Sequence, residues 1–482
     1  MPPEMLAKGI VIMRTSATAK GASAGELREV PGPNSQRLKK ELLEHEVGGT
    51  YWRKTFDRPE RIPVFESQAG IYVTDVDGNQ YIEAFGAFHA SCLGYAPEEL
   101  IEPVHEQQRK LMHLADMPSE PRAEAVKALA AIAPGELKQG KVQFELGGGP
   151  AVELALKLAW TAQYPRRDVI SFFGGYHGRT AAANHFSASA YDRFPFPGVN
   201  VNVIRVAYPY CYRCFYEKAP EECDTYCARY IEKLFQSPEF GVNNIKQGEV
   251  LVAALIVEPM QMHTGGVLAP PEFYPALREI CDKYGVLFVD DEIAVGVGRT
   301  GKWFACELWD TVPDIIVTSK ALSGGIWPLS GIIARREVAS AWDETPDKHM
   351  GTWHGNPVGC RAAVTVINEI KRRNLLEHVS EVGEHLGKRL RELQERHSCV
   401  GDVSGIGLTW GLEFVRDRTT KEPADEETKQ MVVEALRRGM LVCEASYFGN
   451  RITLTPPYII SRDQVDTIVG ILDESIAVAF RK

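Results

Sequence analysis

No apolar run in the chain approaches the ~20 residues that a membrane-spanning helix requires, so no membrane span is expected. Positive charge is also in short supply: 54 Lys and Arg against 64 Asp and Glu leave a net charge of −10. Nucleic-acid binding draws on a concentrated basic face, so no nucleic-acid partner is expected. Residues 1–35 lack the basic stretch, long apolar core and small-residue cleavage site of a secretory leader. The cytoplasm is therefore the expected location, and the Ala, Ser and Gly content of this stretch suits a flexible extension. No internal repeat or low-complexity block interrupts the chain. Ten cysteines in 482 residues form no disulfide framework. Four of them, Cys211, Cys214, Cys223 and Cys227, fall as C-x2-C and C-x3-C pairs, a set able to build a tetrahedral zinc site. The eight-residue gap between the pairs is shorter than in most zinc ribbons, and cytosolic cysteines are often small buried groups, so no metal is expected.

What is present is alternation. From about Lys141, short β-rich runs ("KVQFEL", "DVISFFGG", "VLVAALIVEP", "GVLFVDDE", "PDIIVTSK") alternate with helical segments such as "PAVELALKLAWTA" and "PPEFYPALREICDKYG". Continuous apolar strands separated by helices predict a mainly parallel sheet covered on both faces. Upstream, "GIYVTDVDGNQYIEAFG" predicts a hairpin turning at Asp77-Gly78. Downstream, residues 356–397 read as helices, and "VSGIGLTWGLEFV" and "RITLTPPYIIS" read as strands. The expectation is an α/β fold: a large domain over 95–345, with an insertion carrying the cysteine cluster at about 207–245. A smaller α+β domain is built from both termini, 1–94 and 346–482.

Ligands of open α/β sheets sit beyond the carboxyl ends of the strands, and three features fall there. Gly147, Gly148 and Gly149 follow "KVQFEL", and Pro150 suits the first helical position, so bare N–H groups at a helix start could hold a phosphate. Asp290, Asp291 and Glu292 end "GVLFVDDE", where burial demands a compensating cation or donor. Lys320 ends "PDIIVTSK", where desolvation could leave a nucleophilic amine. Taken singly these are a tight turn, an acidic loop and a surface lysine. Taken together they meet the requirements of pyridoxal phosphate chemistry.

The chain resembles the class III (subgroup II) aminotransferases of fold type I from about Arg61 to Ser475. The resemblance rests on "GGYHGRT" at 174–180, "VEPM" at 257–260, "FVDDEIAVGVGRTGKWFA" at 288–305, "PDIIVTSKALSGG" at 313–325 and "GTWHGNPVGC" at 351–360. It implies a seven-stranded-type sheet in the large domain and a cofactor joined to Lys320 as a Schiff base, with Lys320 also moving the proton at the reacting carbon. Asp291 would pair with the pyridine nitrogen, and Ile293 and Tyr176 would flank the ring. Gly148 and Gly149 would bind the phosphate, and His177 and Glu258 would complete the cofactor site. Thr352 would reach the phosphate of a neighbouring subunit, which implies a homodimer with shared active sites.

The chain also departs from the family pattern. The usual Ser-Gly-Ser-Glu is Gly147-Gly148-Gly149-Pro150, and Ala294 replaces a glutamine that faces the cofactor's phenolic oxygen. The arginine three residues before Pro456-Pro457, which holds a substrate carboxylate in many relatives, is Thr453; Arg451 stands two residues earlier on the same strand face. His263 falls near the position of that arginine's usual glutamate partner. Arg451, Trp353 and His263 are the substrate candidates. The resemblance implies transfer of an amino group from an amine or ω-amino acid to a 2-oxo acid such as pyruvate or 2-oxoglutarate, by a ping-pong cycle. The alternatives are an amino-acid racemase or epimerase, for which the sequence identifies no second acid or base, and a non-catalytic protein that keeps the fold.

Overall fold

The computed structural model describes residues 29–48, 62–194, 196–244, 248–345 and 347–481. Most of the N-terminal extension, residues 1–28, lies outside them. The apolar runs form a seven-stranded sheet: β1 (Lys141–Glu145), β2 (Asp168–Phe172), β3 (Val203–Val206), β4 (Val252–Val257), β5 (Leu287–Asp291), β6 (Ile315–Thr318) and β7 (Ser330–Ala334), in the order β1-β7-β6-β5-β4-β2-β3. β7 runs antiparallel to both of its neighbours, and the other adjacent pairs are parallel. The expectation of a mainly parallel sheet is met. β3 and β7 were not singled out in the sequence: β3 is a four-residue edge strand carrying Arg205, and β7 opens on Ser-Gly.

Burial on both faces explains why these strands read as unbroken apolar runs rather than alternating ones. On one face Ile256, Val289, Ile315, Val317 and Ile332 pack with the buried side of helix α1 (Gly148–Ala162). On the other, Leu255, Val257, Phe288, Ile316 and Ile333 join the main core with Phe273 and Leu277 of the helix Phe273–Tyr284. The hairpin turning at Asp77-Gly78 forms as expected, pairing Tyr72–Asp75 with Gln80–Glu83. Met440–Leu441 adds to it in parallel, so N- and C-terminal segments share one sheet. A second antiparallel sheet joins Val400–Ile406, Thr409–Asp417, Arg451–Leu454 and Cys443–Ala445. These smaller sheets close over the end of the large sheet at which β1, β2, β4, β5 and β6 terminate.

Candidate active site

A cavity of about 840 Å³ opens at that end. Its walls come from the ends of five parallel strands and the turns that follow them: Gly148 and Gly149 after β1, Tyr176 to Arg179 after β2, Glu258, Met262 and His263 after β4, Asp291 at the end of β5 with Ile293 and Ala294 after it, and Ser319 and Lys320 after β6. Strands that point the same way deliver their following turns to one place, which is how residues spread over more than 170 positions converge.

The glycine turn is crowded on two sides. A Cβ on Gly148 would lie 3.0 Å from Ile293 Cδ1, and one on Gly149 would lie 3.1 Å from Thr180 Oγ1. At Gly147 the nearest atom is Pro150 Cδ at 3.8 Å, so a side chain there has room. Gly147 is the N-cap and α1 begins at Gly148, which puts Pro150 at the third helical position rather than the first. The proline still costs nothing there, because first-turn N–H groups have no intrahelical acceptor. For the same reason the N–H groups of Gly148 and Gly149 face an anion position.

Asp291 is buried, and its Oδ2 lies 2.7 Å from Nδ1 of the equally buried His177. Its Oδ1 accepts the Ile293 N–H at 3.1 Å. A carboxylate there places the His177 proton on Nδ1 and leaves Nε2, which is buried and without a partner. Glu258 accepts the Tyr176 N–H at 2.8 Å. Burial, with the nearby Asp291 charge, pushes the Glu258 carboxyl well above the usual range. Tyr176 is stacked on His263, with ring centroids 5.1 Å apart. Lys320 has a left-handed backbone (φ 45) at the turn after β6. Burial lowers its amine to about 8, an effect that Arg299 reinforces and the Asp291 and Glu258 carboxylates oppose.

Asp290 and Glu292 flank Asp291 but do not line the cavity. Tyr274 donates its hydroxyl to Asp290 Oδ1 at 2.7 Å, and the Cys306 N–H donates to Glu292 Oε1 at 2.9 Å. The remaining oxygens, Asp290 Oδ2 and Glu292 Oε2, are buried without partners. Burial, together with the neighbouring Glu292 charge, raises the Asp290 carboxyl well above its ordinary range, and burial raises Glu292 to about 7. One proton held between the pair would satisfy both oxygens.

Two of the substrate candidates do not reach the cavity. Arg451 is wholly buried: its Nη1 donates to Glu413 at 2.8 Å and Asp402 at 3.0 Å, its Nε to the Gly265 carbonyl at 2.9 Å, and its Nη2 to Ser404 Oγ at 3.0 Å. A guanidinium held by two carboxylates is not open to a substrate. Thr453, which shares its strand face, lines the cavity instead. Trp353 is 43% exposed and stacked on His113 at 3.9 Å, away from the cavity of its own chain. Thr352 is likewise exposed and outside it. Of the three substrate candidates, His263 does line the cavity.

His354 lies elsewhere too. Its Nε2 is 2.9 Å from Glu145 Oε1, and His349 Nε2 reaches the same oxygen at 2.5 Å. These three groups could in composition hold a metal ion. Lys157, however, donates to His349 Nδ1 at 3.0 Å, which puts the imidazole proton on Nε2, where a metal would have to bind. The arrangement is a hydrogen-bonded clasp between the end of β1 and the loop carrying Thr352. The four cysteine candidates lie within electrostatic reach of one another: burial, and then the charges of Cys223 and Cys214, raise the Cys211 thiol. Among the described residues, no three sulfurs of Cys211, Cys214, Cys223 and Cys227 lie within 4.8 Å of one another, and all four are free thiols.

Several wall residues had no signal in the sequence. His89, Phe85 and Phe88 arrive from the N-terminal segment, and residues 443–449 and Lys429 arrive from the C-terminal one. Only the tertiary closure of the small sheets brings them in.

Pyridoxal phosphate fits this set. There are amide donors in a cradle that a Cβ would fill, a tyrosine and an isoleucine to flank a ring, a buried carboxylate oriented by a histidine, and a lysine of lowered basicity. The departures at Gly147, Gly149, Pro150 and Ala294 remove side-chain donors but leave the backbone amides, Asp291 and Lys320 in place.

The family model described as Aminotransferase class-III matches residues 56–476. Among curated relatives, a leucine/methionine racemase of Thermococcus litoralis is 34% identical, with 84% of this chain and 88% of that protein covered. A diaminobutyrate–2-oxoglutarate aminotransferase of Rhizobium meliloti is 31% identical, with 88% and 89% covered. Among solved structures, a PLP-bound amine transaminase from an uncultivated Pseudomonas species superposes with a TM-score of 0.81 at 26% identity, with 90% and 98% covered. The chain belongs to the class-III aminotransferases, enzymes of the pyridoxal phosphate fold, and pyridoxal phosphate is its cofactor.

Proposed function

We propose that the enzyme moves an amino group from an amino acid or ω-amino acid to a 2-oxo acid such as pyruvate or 2-oxoglutarate in two half-reactions, with Lys320 as the group that holds and moves the proton. The buried amine of Lys320, brought down to about 8 in a cavity it shares with Asp291, carries this reading. When bound, the cofactor supplies an aldehyde that captures amines and a ring that makes the substrate's α-proton removable. Asp291, oriented by His177, would hold the ring nitrogen in its protonated form. Gly148 and Gly149 would hold the phosphate, and Tyr176 and Ile293 would limit motion of the ring. Lys320, which at about 8 gives up its proton far more readily than an ordinary lysine, would take a proton at the substrate carbon and return it.

The outer wall favours a donor with an apolar portion. Phe85, Phe88, Met262, Tyr447 and Ala445 face the cavity. The outer cations on the wall already carry carboxylates: exposed Arg179 is paired with Asp192 at 2.8 Å and half-buried Lys429 with Glu426 at 2.8 Å. A substrate carboxylate would exchange with one of these rather than meet a dedicated arginine. Thr352, with exposed Met350 beside it, suits a homodimer in which each subunit completes its neighbour's phosphate site. We place the enzyme in the cytoplasm, in keeping with its free cysteines.

A panel of donors and acceptors, followed through the change in visible absorption as the cofactor takes up an amino group, tests the reading. Absorption that no donor alters would refute it. Inversion at the α-carbon is a second reading, favoured by the Thermococcus litoralis racemase.

A further inference from the structure

His89 sits on the cavity wall with Lys320 and is 6% exposed. Its Nδ1 is buried without a hydrogen-bond partner. A buried imidazole nitrogen without a partner gives up a hydrogen bond it would make in water, at about 1–3 kcal/mol, so its retention asks for a role. The backbone reinforces the point. Ala87, Phe88 and His89 all have left-handed conformations, with φ of 45, 57 and 74, following Gly86 at 58. Three successive non-glycine residues in that region cost roughly 1–2 kcal/mol each. The turn is held from outside: Arg299, itself wholly buried, donates to the His89 carbonyl at 3.3 Å and to the Thr455 and Pro456 carbonyls at 2.9 and 2.7 Å. A scaffold of this kind keeps one side chain pointed at one place.

That side chain is within electrostatic reach of two cations. Burial, and then the charges of Lys320 and Arg299, hold the imidazole well below its ordinary value, so it rests neutral and able to accept a proton. His89 enters the cavity from the N-terminal segment, whereas Lys320 enters from the end of β6 in the large sheet. The cavity therefore contains two proton-exchanging groups delivered by separate elements. A single base returns a proton to the face it came from; inversion of a carbon needs a second group.

We propose that His89 is a second acid–base group of this site, and that with Lys320 it gives the enzyme the capacity to invert the α-carbon of an amino acid. The proposal rests on the reading of Lys320 as the cofactor lysine. For one enantiomer, the Cα–H bond breaks with its proton going to the neutral His89 imidazole, and a new bond to the same carbon forms with a proton from the Lys320 ammonium. That turnover leaves Lys320 as the free amine and His89 as the imidazolium, and from this state the other enantiomer reacts with the two roles exchanged. The electron pair of the broken bond becomes that of the new one, so nothing is oxidised or reduced and no oxo acid is consumed. The substrate class is a neutral α-amino acid with an apolar side chain, matching Phe85, Phe88 and Met262 on the wall.

The test uses the full-length protein loaded with pyridoxal phosphate, given L-leucine or D-leucine in D2O without any oxo acid. Chiral chromatography reads inversion, and proton NMR reads exchange at Cα. The wild type should form the opposite enantiomer from either one. His89→Asn suits the left-handed backbone, because asparagine adopts it readily. It should lose inversion by about 10²-fold or more, in line with the loss of one acid–base group. Exchange should become one-handed, persisting for the enantiomer whose proton meets Lys320 and failing for the other. A residue that merely supported the wall would slow both enantiomers alike. Visible absorption of the lysine-bound cofactor should persist in His89→Asn. No inversion by the wild type, wild-type inversion by the variant, or equal loss of exchange in both enantiomers overturns the proposal. Absence of that absorption from the wild type would instead overturn the reading of Lys320.

Discussion

Replacing Arg451 with methionine keeps a long apolar stem and removes a guanidinium that has no contact with solvent. Glu413, also fully buried, keeps Arg213 at 2.5 Å and Asn450 at 3.3 Å but loses its 2.8 Å partner, and Asp402 loses its partner at 3.0 Å. Removing one partner from a buried ion pair costs about 3–5 kcal/mol where the remaining charge is stranded; Glu413 still has the Arg213 guanidinium and the Tyr210 hydroxyl, which sets Arg451→Met toward the lower part of that range. The Gly265 carbonyl and Ser404 hydroxyl lose a donor as well, which keeps Arg451→Met within that range. Urea unfolding followed by circular dichroism should show the corresponding fall in midpoint. Adding Glu413→Leu removes the other side of the same contact, so the double variant should lose less than the sum of the two single ones. If Arg451 instead held a substrate carboxylate, a charge-assisted bond of about 1.5–3 kcal/mol would be lost from binding. KM would then rise by about 10- to 150-fold with little change in the urea midpoint. That pattern would refute the assignment of Arg451 as a buried brace.

The glycine cradle makes a contrast between neighbours. Gly148→Pro removes an N–H and crowds Ile293, so cofactor binding, read by fluorescence quenching, should be lost, whereas Gly147→Ser should bind as well as the wild type or better. The reverse order would exclude this account of the turn. The Asp290–Glu292 pair links stability to pH. Both carboxyls are raised in the folded protein, so the folded state retains protons that the unfolded chain releases near pH 4. The associated stability is fully present below that pH and is lost as pH rises through about 7 and above. In that window the pair should contribute a downward slope of up to ~1.4 kcal/mol per pH unit for each extra proton held. Asp290→Asn should flatten the dependence of the urea midpoint on pH, and an unchanged slope would rule the shared proton out.

How far the site could be read in advance depended on where its residues lie along the chain. Gly148, Tyr176, Glu258, Asp291 and Lys320 each end or follow a strand of the parallel sheet, so a strand-by-strand reading finds them. The ring of contributions from the small sheets could not be found that way. His89 sits in "FGAFHA", where a single histidine between apolar residues looks like core, and only the left-handed turn and the closure of the terminal segments bring it to Lys320. Arg451 illustrates the opposite error. Its strand face was correctly inferred from the alternation with Thr453, but the face alone does not say where a long side chain ends. Glu413, Asp402 and the Gly265 carbonyl, all distant in sequence, capture the guanidinium before it reaches the cavity.

The claim on which the rest depends is that Lys320 is the residue joined to the cofactor. Purified protein loaded with pyridoxal phosphate, reduced with borohydride and digested, should carry the pyridoxyl group on the peptide containing Lys320. Lys320→Ala treated in the same way should carry none. A reduced adduct on another lysine, or one that survives in the variant, would contradict the account.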